Sequence, residues 1–413
     1  MHLKDLRAVQ KDLAGFVDYF KSEFGRSERR HWCGMYLSGL MLDGERKSIE
    51  PMAERLDGGD VQALSQFVNQ SPWAFEPVQE KLRRFLFERL KPQKGLLILD
   101  DTTFPKKGTH SVGVSHQYCG ALGKQANCQS LVSWQYASAE MHFPLQAELY
   151  LPASWTSDLK RMKKAGVPER RWKFQEKWRL ALELLDSFRA DVPHEAILCD
   201  AGYGQSKEFL HALDERNESF IASIPSTMSF WPAEIKTHAP VAKTGRPRQF
   251  QTVRDPRKKP LQAQKWAKRL SARPEIWKTI VLPHQQRKKI EVTAVRVREV
   301  DNNYLRRPGI ERWLLIERFG DGFKYYLSNL SPETLLRDLA VAAHCRWKIE
   351  QGYQQLKEEL GLDHFEGRTW QGFHHHVTLC FMAYDFLLLL KQKWAKKKFL
   401  FQPSQPSAVG SIN

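Results

Sequence analysis

Gly95-Leu96-Leu97-Ile98-Leu99-Asp100-Asp101-Thr102-Thr103 is a continuous apolar run that ends in acid. Such a run fits a strand buried on both faces, and acid at its end fits the point where a central strand emerges at a catalytic edge. The pattern recurs at Glu195-Ala196-Ile197-Leu198-Cys199-Asp200-Ala201-Gly202-Tyr203-Gly204, where a second apolar strand closes on Asp, a glycine-containing turn follows, and a helix is expected from about Ser206 to Arg216. Taken singly, each Asp also suits a turn residue or a helix cap.

A third carboxylate lies far along the chain, in Cys345-Arg346-Trp347-Lys348-Ile349-Glu350-Gln351-Gly352-Tyr353-Gln354-Gln355-Leu356-Lys357. At about 100° per residue, offsets of four and seven return Arg346, Glu350 and Lys357 to nearly one azimuth, so a helix presents them on one face. A Glu between two cations suits a metal ligand beside phosphate-binding groups; favourable charge pairs on a solvated helix face have the same spacing. Three carboxylates in the order Asp, Asp, Glu match what phosphodiester chemistry requires. Two hard cations about 3.5–4 Å apart can activate an attacking hydroxyl and stabilise the leaving oxygen. Such ions take oxygen ligands and need only one or two carboxylates each. Arg then suits a forked phosphate contact and Lys a point-charge one.

With these residues in view, the sequence resembles the DDE transposases of bacterial insertion sequences, in the group whose signature is Tyr, two residues, Arg, three residues, Glu, six residues, Lys. Arg346, Glu350 and Lys357 match position by position, while Ala343 stands at the tyrosine position. Asp101-Thr102-Thr103 looks like the first catalytic Asp and Cys199-Asp200 like the second; Phe104-Pro105-Lys106-Lys107-Gly108 through Tyr118-Cys119-Gly120 and Gly123-Lys124 is similar to one transposase subgroup. The resemblance implies Asp101, Asp200 and Glu350 as catalytic metal ligands for Mg²⁺, with Mn²⁺ as substitute. Strand alternation sends Asp100 and Asp101 to opposite faces, so only one can join the other acids. The resemblance assigns Asp101 and leaves Asp100 a supporting or structural group. Arg346 and Lys357 are expected on DNA phosphates, with Lys106, Lys107, Arg257, Lys258 and Lys259 as further DNA contacts. Trp313, in Glu311-Arg312-Trp313-Leu314-Leu315-Ile316, resembles the strand tryptophan that stacks on a base flipped out of the duplex; with its apolar neighbours it equally suits a sheet core.

The implied partners are double-stranded DNA, as terminal inverted repeats and target, and a second copy in a homodimer on that DNA. Composition agrees. At 413 residues with 42% hydrophobic content the chain can bury a sizeable core, and a formal net charge of +17 points to a polyanion. An acidic membrane surface would suit the charge as well, but no spanning segment is expected, since Tyr384 and Asp385 interrupt the apolar stretch ending at Leu387 to Leu390. The charged amphipathic opening Met1-His2-Leu3-Lys4-Asp5 predicts no secretory signal. Six cysteines show no zinc spacing and suit free thiols in a cytoplasmic, nucleoid-associated protein. His374-His375-His376 on a helix would point three ways, which disfavours a shared metal.

The charge is uneven. Residues 1–95 hold 16 Lys and Arg against 14 Asp and Glu, whereas residues 226–330 hold 23 against 9. Periodicity predicts an α/β chain. Residues 1–94 read as an N-terminal helical domain suited to binding DNA ends, with Arg29 and Arg30 as candidates, or to contacting protein. Residues 95–225 read as the first part of an RNase H-like catalytic core, a mixed sheet with flanking helices, with strands at 111–118, 128–137, 148–151 and 196–199 and a helix over Pro168–Phe188. A basic β-rich insertion follows at 226–330, with a flexible stretch at 244–248; residues 331–400 close the core with helices and 401–413 form a disordered tail. The expected activity is cutting of element ends and their joining to target DNA. A regulator that no longer cuts, or a nuclease without strand transfer, is the alternative.

Overall fold

The computed structural model describes residues 3–238, 251–283, 285, 287–301 and 307–400; the stretch at 244–248 and the tail from 401 lie outside the described residues. Six helices open the chain: α1 (Leu3–Tyr19), α2 (Lys21–Phe24), α3 (Ser27–Met41), α4 (Ile49–Arg55), α5 (Val61–Asn69) and α6 (Phe75–Leu90). Strands β1 (Gly95–Pro105), β2 (Ser115–Cys119), β3 (Lys124–Ala137) and β4 (His142–Leu149) follow. Helices α7 (Ala153–Thr156), α8 (Leu159–Lys164) and α9 (Lys177–Asp186) lead to β5 (His194–Cys199), and α10 (Ala201–Gly204) and α11 (Lys207–Glu215) lead to β6 (Phe220–Ser223). Next come β7 (Ser229–Pro232), β8 (Thr237–His238), β9 (Thr252–Val253), β10 (Leu261–Gln262), α12 (Ala263–Ser271), β11 (Lys278–Val281), β12 (Lys289–Val300), β13 (Pro308–Phe319) and β14 (Gly322–Ser328). The described chain ends in α13 (Leu336–His344), α14 (Trp347–Gln354), a π-helical turn at Gln355–Glu359, and α15 (Trp370–Leu400).

At the centre β4, β3, β1, β5 and β6 lie side by side. β1, β3 and β4 are antiparallel, and β1, β5 and β6 are parallel. That order makes the RNase H-like core, with β2 beside β4 on the far edge of β3. Helix α9 covers one face, where the Trp134 indole donates to the Ala181 carbonyl at 2.9 Å. On the other face the Tyr353 hydroxyl of α14 meets Ser133 Oγ at 2.7 Å. Covered on both sides, Leu97, Ile98 and Leu99 are fully buried, which is why the run carries no alternation.

Apart from β8 and β9, which pair in a small sheet of their own, the strands of the insertion do not form a separate sheet. β14 pairs antiparallel with β6, and β13, β12 and β7 follow outward, so core and insertion share one twelve-stranded sheet. It also contains α12, a helix the β-rich expectation passed over. Ala263, Trp266, Ala267 and Leu270 are its buried stripe, at a helical spacing that was there to be read. The helix expected over Pro168–Phe188 is broken: a 3₁₀ turn at Glu169–Arg171 precedes α9. Buried Arg171 occupies that break, reaching Glu148 at 2.8 Å and Glu183 at 2.7 Å. The strand expected at 111–118 begins only at Ser115, and the one expected at 148–151 runs instead over His142–Leu149.

Phe16, Phe20 and Phe24 bury the first helices, with Phe16 in edge contact with Phe85 and tilted on Phe386 of α15. Each buried side chain of this size contributes about 1.5–3 kcal/mol. Contrary to the sequence expectation, the stretch Trp370–Ala395 of α15 is long and apolar enough to cross a membrane, yet most of it is buried inside the protein as a core helix. Its three histidines do point three ways. His374 Nε2 accepts from the Leu149 amide, the His375 ring nitrogens lie 2.8 Å from the carbonyls of Val68 and Trp73, and His376 meets Tyr36 and Gly361. They tie separate segments to one helix.

Candidate active site

The pleat separates Asp100 from Asp101 as expected, and the two acids have different partners. Asp100 lies opposite Ser133, on the face that carries α14. Its Oδ2 accepts from Arg346 Nη1 at 3.2 Å, and Arg346 Nη2 donates to Glu350 Oε1 at 2.6 Å. Asp101 turns to the α9 face, where its Oδ2 takes hydrogen bonds from Lys177 Nζ at 2.6 Å and Ser130 Oγ at 3.0 Å. The acid linked to Arg346 and Glu350 is therefore Asp100, and Asp101 is neutralised by a lysine on the opposite side of the sheet. Side chains alternate along a strand, and only one parity faces α14.

Asp200 follows β5 directly. Leu99 pairs with Cys199 in parallel register, so Asp100, within β1, and Asp200, just past β5, stand at the same level. Asp200 also caps α10, accepting from the Tyr203 amide at 3.2 Å, so the cap reading and the site reading hold together. Gly204 lets this turn lie on β6: a Cβ there would stand 2.0 Å from the Ser223 carbonyl oxygen.

The acids sit in a field they create themselves. Burial, then the charge of Asp200, push the Asp100 carboxyl up to about 7 against the pull of Arg346. Asp200 is raised as well, by burial first, with the Tyr203 amide opposing and Asp101 adding. The Tyr203 hydroxyl is buried close by without a hydrogen-bond partner among the described residues. Crowded oxygen donors with raised proton affinity fit a hard divalent cation, and Asp100, Asp200 and Glu350 are the residues that would hold it. Among the described residues no cluster of three or more such ligands is already drawn together, since Glu350 is exposed and turned onto Arg346.

Helix α14 is pinned along β1. The Tyr353 hydroxyl donates to the Asp100 carbonyl at 3.2 Å, and Lys357 Nζ donates to the Thr103 carbonyl at 3.2 Å. Arg346, Tyr353 and Lys357 thus face β1 together, with Lys357 on the π-helical turn, a feature frequent at functional sites.

Between Ala201, β14, α13 and α14 opens a cleft of about 510 Å³, lined by Arg346 and Glu350. Gln285 and Lys288, at the tip of the β11–β12 hairpin, also line it, so the basic insertion shares a cleft with Arg346 and Glu350. Phe323, Tyr325, Tyr326, Trp347 and His344 also line it, none of them singled out in the sequence. Trp347 and His344 flank the Arg of the signature, which was the available signal; the strand aromatics carried none.

Other sequence candidates lie elsewhere. Trp313 is half-buried, its indole donating to the Ser331 carbonyl at 3.0 Å and the Arg296 guanidinium 4.9 Å from its ring centre; it does not line the cleft. Lys106 is tied to the Phe365 carbonyl at 2.6 Å, whereas Lys107 is exposed. Arg257, Lys258 and Lys259 are exposed between β9 and β10. Arg29 and Arg30 are engaged within the helical layer, by the Phe24 carbonyl and Asp18.

A probable transposase for insertion sequence element IS701 from Microchaete diplosiphon is 30% identical over 190 residues, covering 46% of this chain and 47% of that protein, so the chain spans about half the length of that relative. The NurA nuclease from Sulfolobus solfataricus superposes over 83% of this chain and 98% of its own at 10% identity and a TM-score of 0.25, a likeness too weak to define the fold. Residues 19–289 match the model of the DDE superfamily endonucleases. The match over residues 19–289 covers most of the chain: this chain belongs to the DDE superfamily endonucleases.

Proposed function

We propose that the protein is the transposase of an insertion sequence, which cuts the element's ends and joins the freed 3′ hydroxyls to target DNA by divalent-metal-dependent phosphoryl transfer. The observation that carries this reading is the sharing of one sheet face by Asp100, Asp200 and the Arg346–Glu350 pair, with Lys288 of the basic insertion across the cleft. Asp100, Asp200 and Glu350 take the role of ligands, with Asp100 in place of Asp101. Bound Mg²⁺, or Mn²⁺ in its place, supplies activation of the attacking hydroxyl and charge stabilisation at the leaving oxygen. Arg346 orients Glu350 and Asp100 in the free protein and turns to phosphate when DNA enters. Lys357, half-buried beside β1, holds a second phosphate as a point charge. Exposed Arg287, Lys288 and Lys289, with Arg257, Lys258 and Lys259, guide the duplex. The enzyme acts in the cytoplasm, as a homodimer on paired ends, with residues 1–94 contributing to end binding.

The presence of all three acids speaks against a regulator that has lost catalysis. A nuclease without strand transfer uses the same acids, so the products decide. Incubation with labelled element ends, a target plasmid and Mg²⁺ or Mn²⁺ should give joined molecules. Cleaved ends alone would favour the nuclease, and bound but uncut DNA the regulator.

A further inference from the structure

Glu317 is an anomaly of the insertion: a carboxylate 1% exposed, in β13 directly after Leu314, Leu315 and Ile316. Buried charge of this kind persists only with partners. Two are present. His344 Nε2 lies 2.9 Å from Glu317 Oε2, and the Tyr326 hydroxyl donates to the same oxygen at 3.2 Å. Burial alone would raise this carboxyl; the His344 hydrogen bond and the charges of His344 and Lys324 hold it below its ordinary value, so it is ionised. An ionised acceptor places a ring proton on Nε2, and a phosphate at Nδ1 would take the second ring N–H. The second ring nitrogen, Nδ1, has no partner among the described residues, and His344 lines the cleft with Arg346, Lys288 and Lys324. The His344 carbonyl accepts from the Gln285 amide at 3.2 Å, which fastens the hairpin tip over the end of α13.

We propose that His344, oriented by Glu317, is a phosphate-binding residue of the cleft, contacting through Nδ1–H a backbone phosphate of the DNA strand beside the one that reacts. This rests on the DNA-processing reading above. The arrangement suits a phosphate better than a base, because the ring is backed by a carboxylate and neighboured by three cations, so the cleft presents donors and positive charge. Glu317 acts only through His344 and is a positioning residue. It couples the insertion to the helix that precedes Arg346, so the contact forms only when β13 and α13 are in register.

The test is binding of duplex oligonucleotides carrying the inverted repeats that flank this reading frame, with single neutral methylphosphonates walked across the cut site, by wild type, His344→Gln and Glu317→Gln across a salt series without divalent metal. His344→Gln should bind roughly tenfold to a hundredfold more weakly, the range of one charge-assisted hydrogen bond. Its salt slope should fall by about 0.9. At one position the methylphosphonate should weaken wild type but cost His344→Gln nothing further. Glu317→Gln should show a smaller loss at that same position, and it provides the readout if His344→Gln does not fold. An unchanged salt slope, with every methylphosphonate costing all three proteins equally, would overturn the proposal, as would a loss confined to cleavage rate, which would make His344 a proton-transfer group. Wild type that binds none of these duplexes would overturn the DNA-processing reading itself.

Discussion

β1 and β5 of the core and β12 to β14 of the insertion belong to one sheet, yet they carry charge in opposite ways. Along β1 the uncharged run Gly95–Leu99 leads to Asp100 within the strand, and along β5 Ala196–Cys199 lead to Asp200 just past its end, so the two acids stand side by side and the charge of Asp200 raises the Asp100 carboxyl. Along β12 and β13 charge is interleaved and cancelled across the ladder: Arg296 meets Glu311 at 2.9 Å, Arg318 meets Glu291 at 2.9 Å, and buried Arg312 meets Glu299 at 2.8 Å. The surplus of the insertion therefore appears at its turns, at Arg257 to Lys259 and Arg287 to Lys289, and Lys288 of the second turn lines the cleft with Arg346 and Glu350. Unbalanced negative charge is concentrated at the core's edge, and the unbalanced positive charge facing it comes from the other half of the sheet.

Breaking the core side should have the largest effect. Asp100→Asn, Asp200→Asn and Glu350→Gln should each lower end cleavage by roughly 10³-fold or more, the order lost when preorganised electrostatic stabilisation is removed, while binding of element ends persists. Asp101→Asn should stay within about tenfold, or ~1.4 kcal/mol of barrier. A dead Asp101→Asn beside an active Asp100→Asn would reverse the assignment of the first ligand.

Next in size is Gly204→Ala. A Cβ 2.0 Å from a backbone oxygen forces α10 off β6 and carries Asp200 with it. The variant should lose about 1–3 kcal/mol of stability, seen as a lowered melting temperature, and cleavage should drop with it. Normal melting with normal cleavage would mean the turn tolerates what its geometry forbids.

On the insertion side, replacing Arg287, Lys288 and Lys289 together by Gln should weaken end binding and reduce the salt slope by roughly 0.9 for each phosphate no longer neutralised. The pair Arg29→Gln and Arg30→Gln, engaged within the helical layer, should change the slope little. Equal slopes for both variants would place the DNA surface elsewhere and dissolve the contrast between the halves.

A smaller effect follows from the raised Asp100. Its ionised form is disfavoured in the folded chain, so its contribution is complete below the ordinary carboxylate range and is lost as pH rises toward about 7. Metal-free protein should melt at a lower temperature at pH 7 than at pH 5, and Asp100→Asn should flatten that dependence; a decline of the same size in the variant would assign it to other groups. Trp313→Ala should have the least effect on first-strand nicking, because the ring lies under Arg296 and away from the cleft. A complete loss of nicking at an unchanged melting temperature would return Trp313 to the site.

The sequence by itself determined the parts that depend on local order. An apolar run buried on both faces must be a central strand, so β1 and β5 were legible, and with them the level at which Asp100 and Asp200 emerge. Helical spacing was enough to place Arg346 and Glu350 together, as their 2.6 Å contact bears out. Local order also held a signal for α12 that composition obscured, because the Lys and Arg of that segment outweigh its apolar stripe. Only the tertiary structure decided which of Asp100 and Asp101 faces α14. Alternation shows that two neighbours diverge but not which layer lies on either side, and that depends on α9 and α14 packing from distant parts of the chain. It alone brought Lys288 and His344 to one cleft with Arg346 and Glu350, and Glu317 against His344, since these contacts join β11 to β13 with α13 and no local pattern encodes a pairing across that distance.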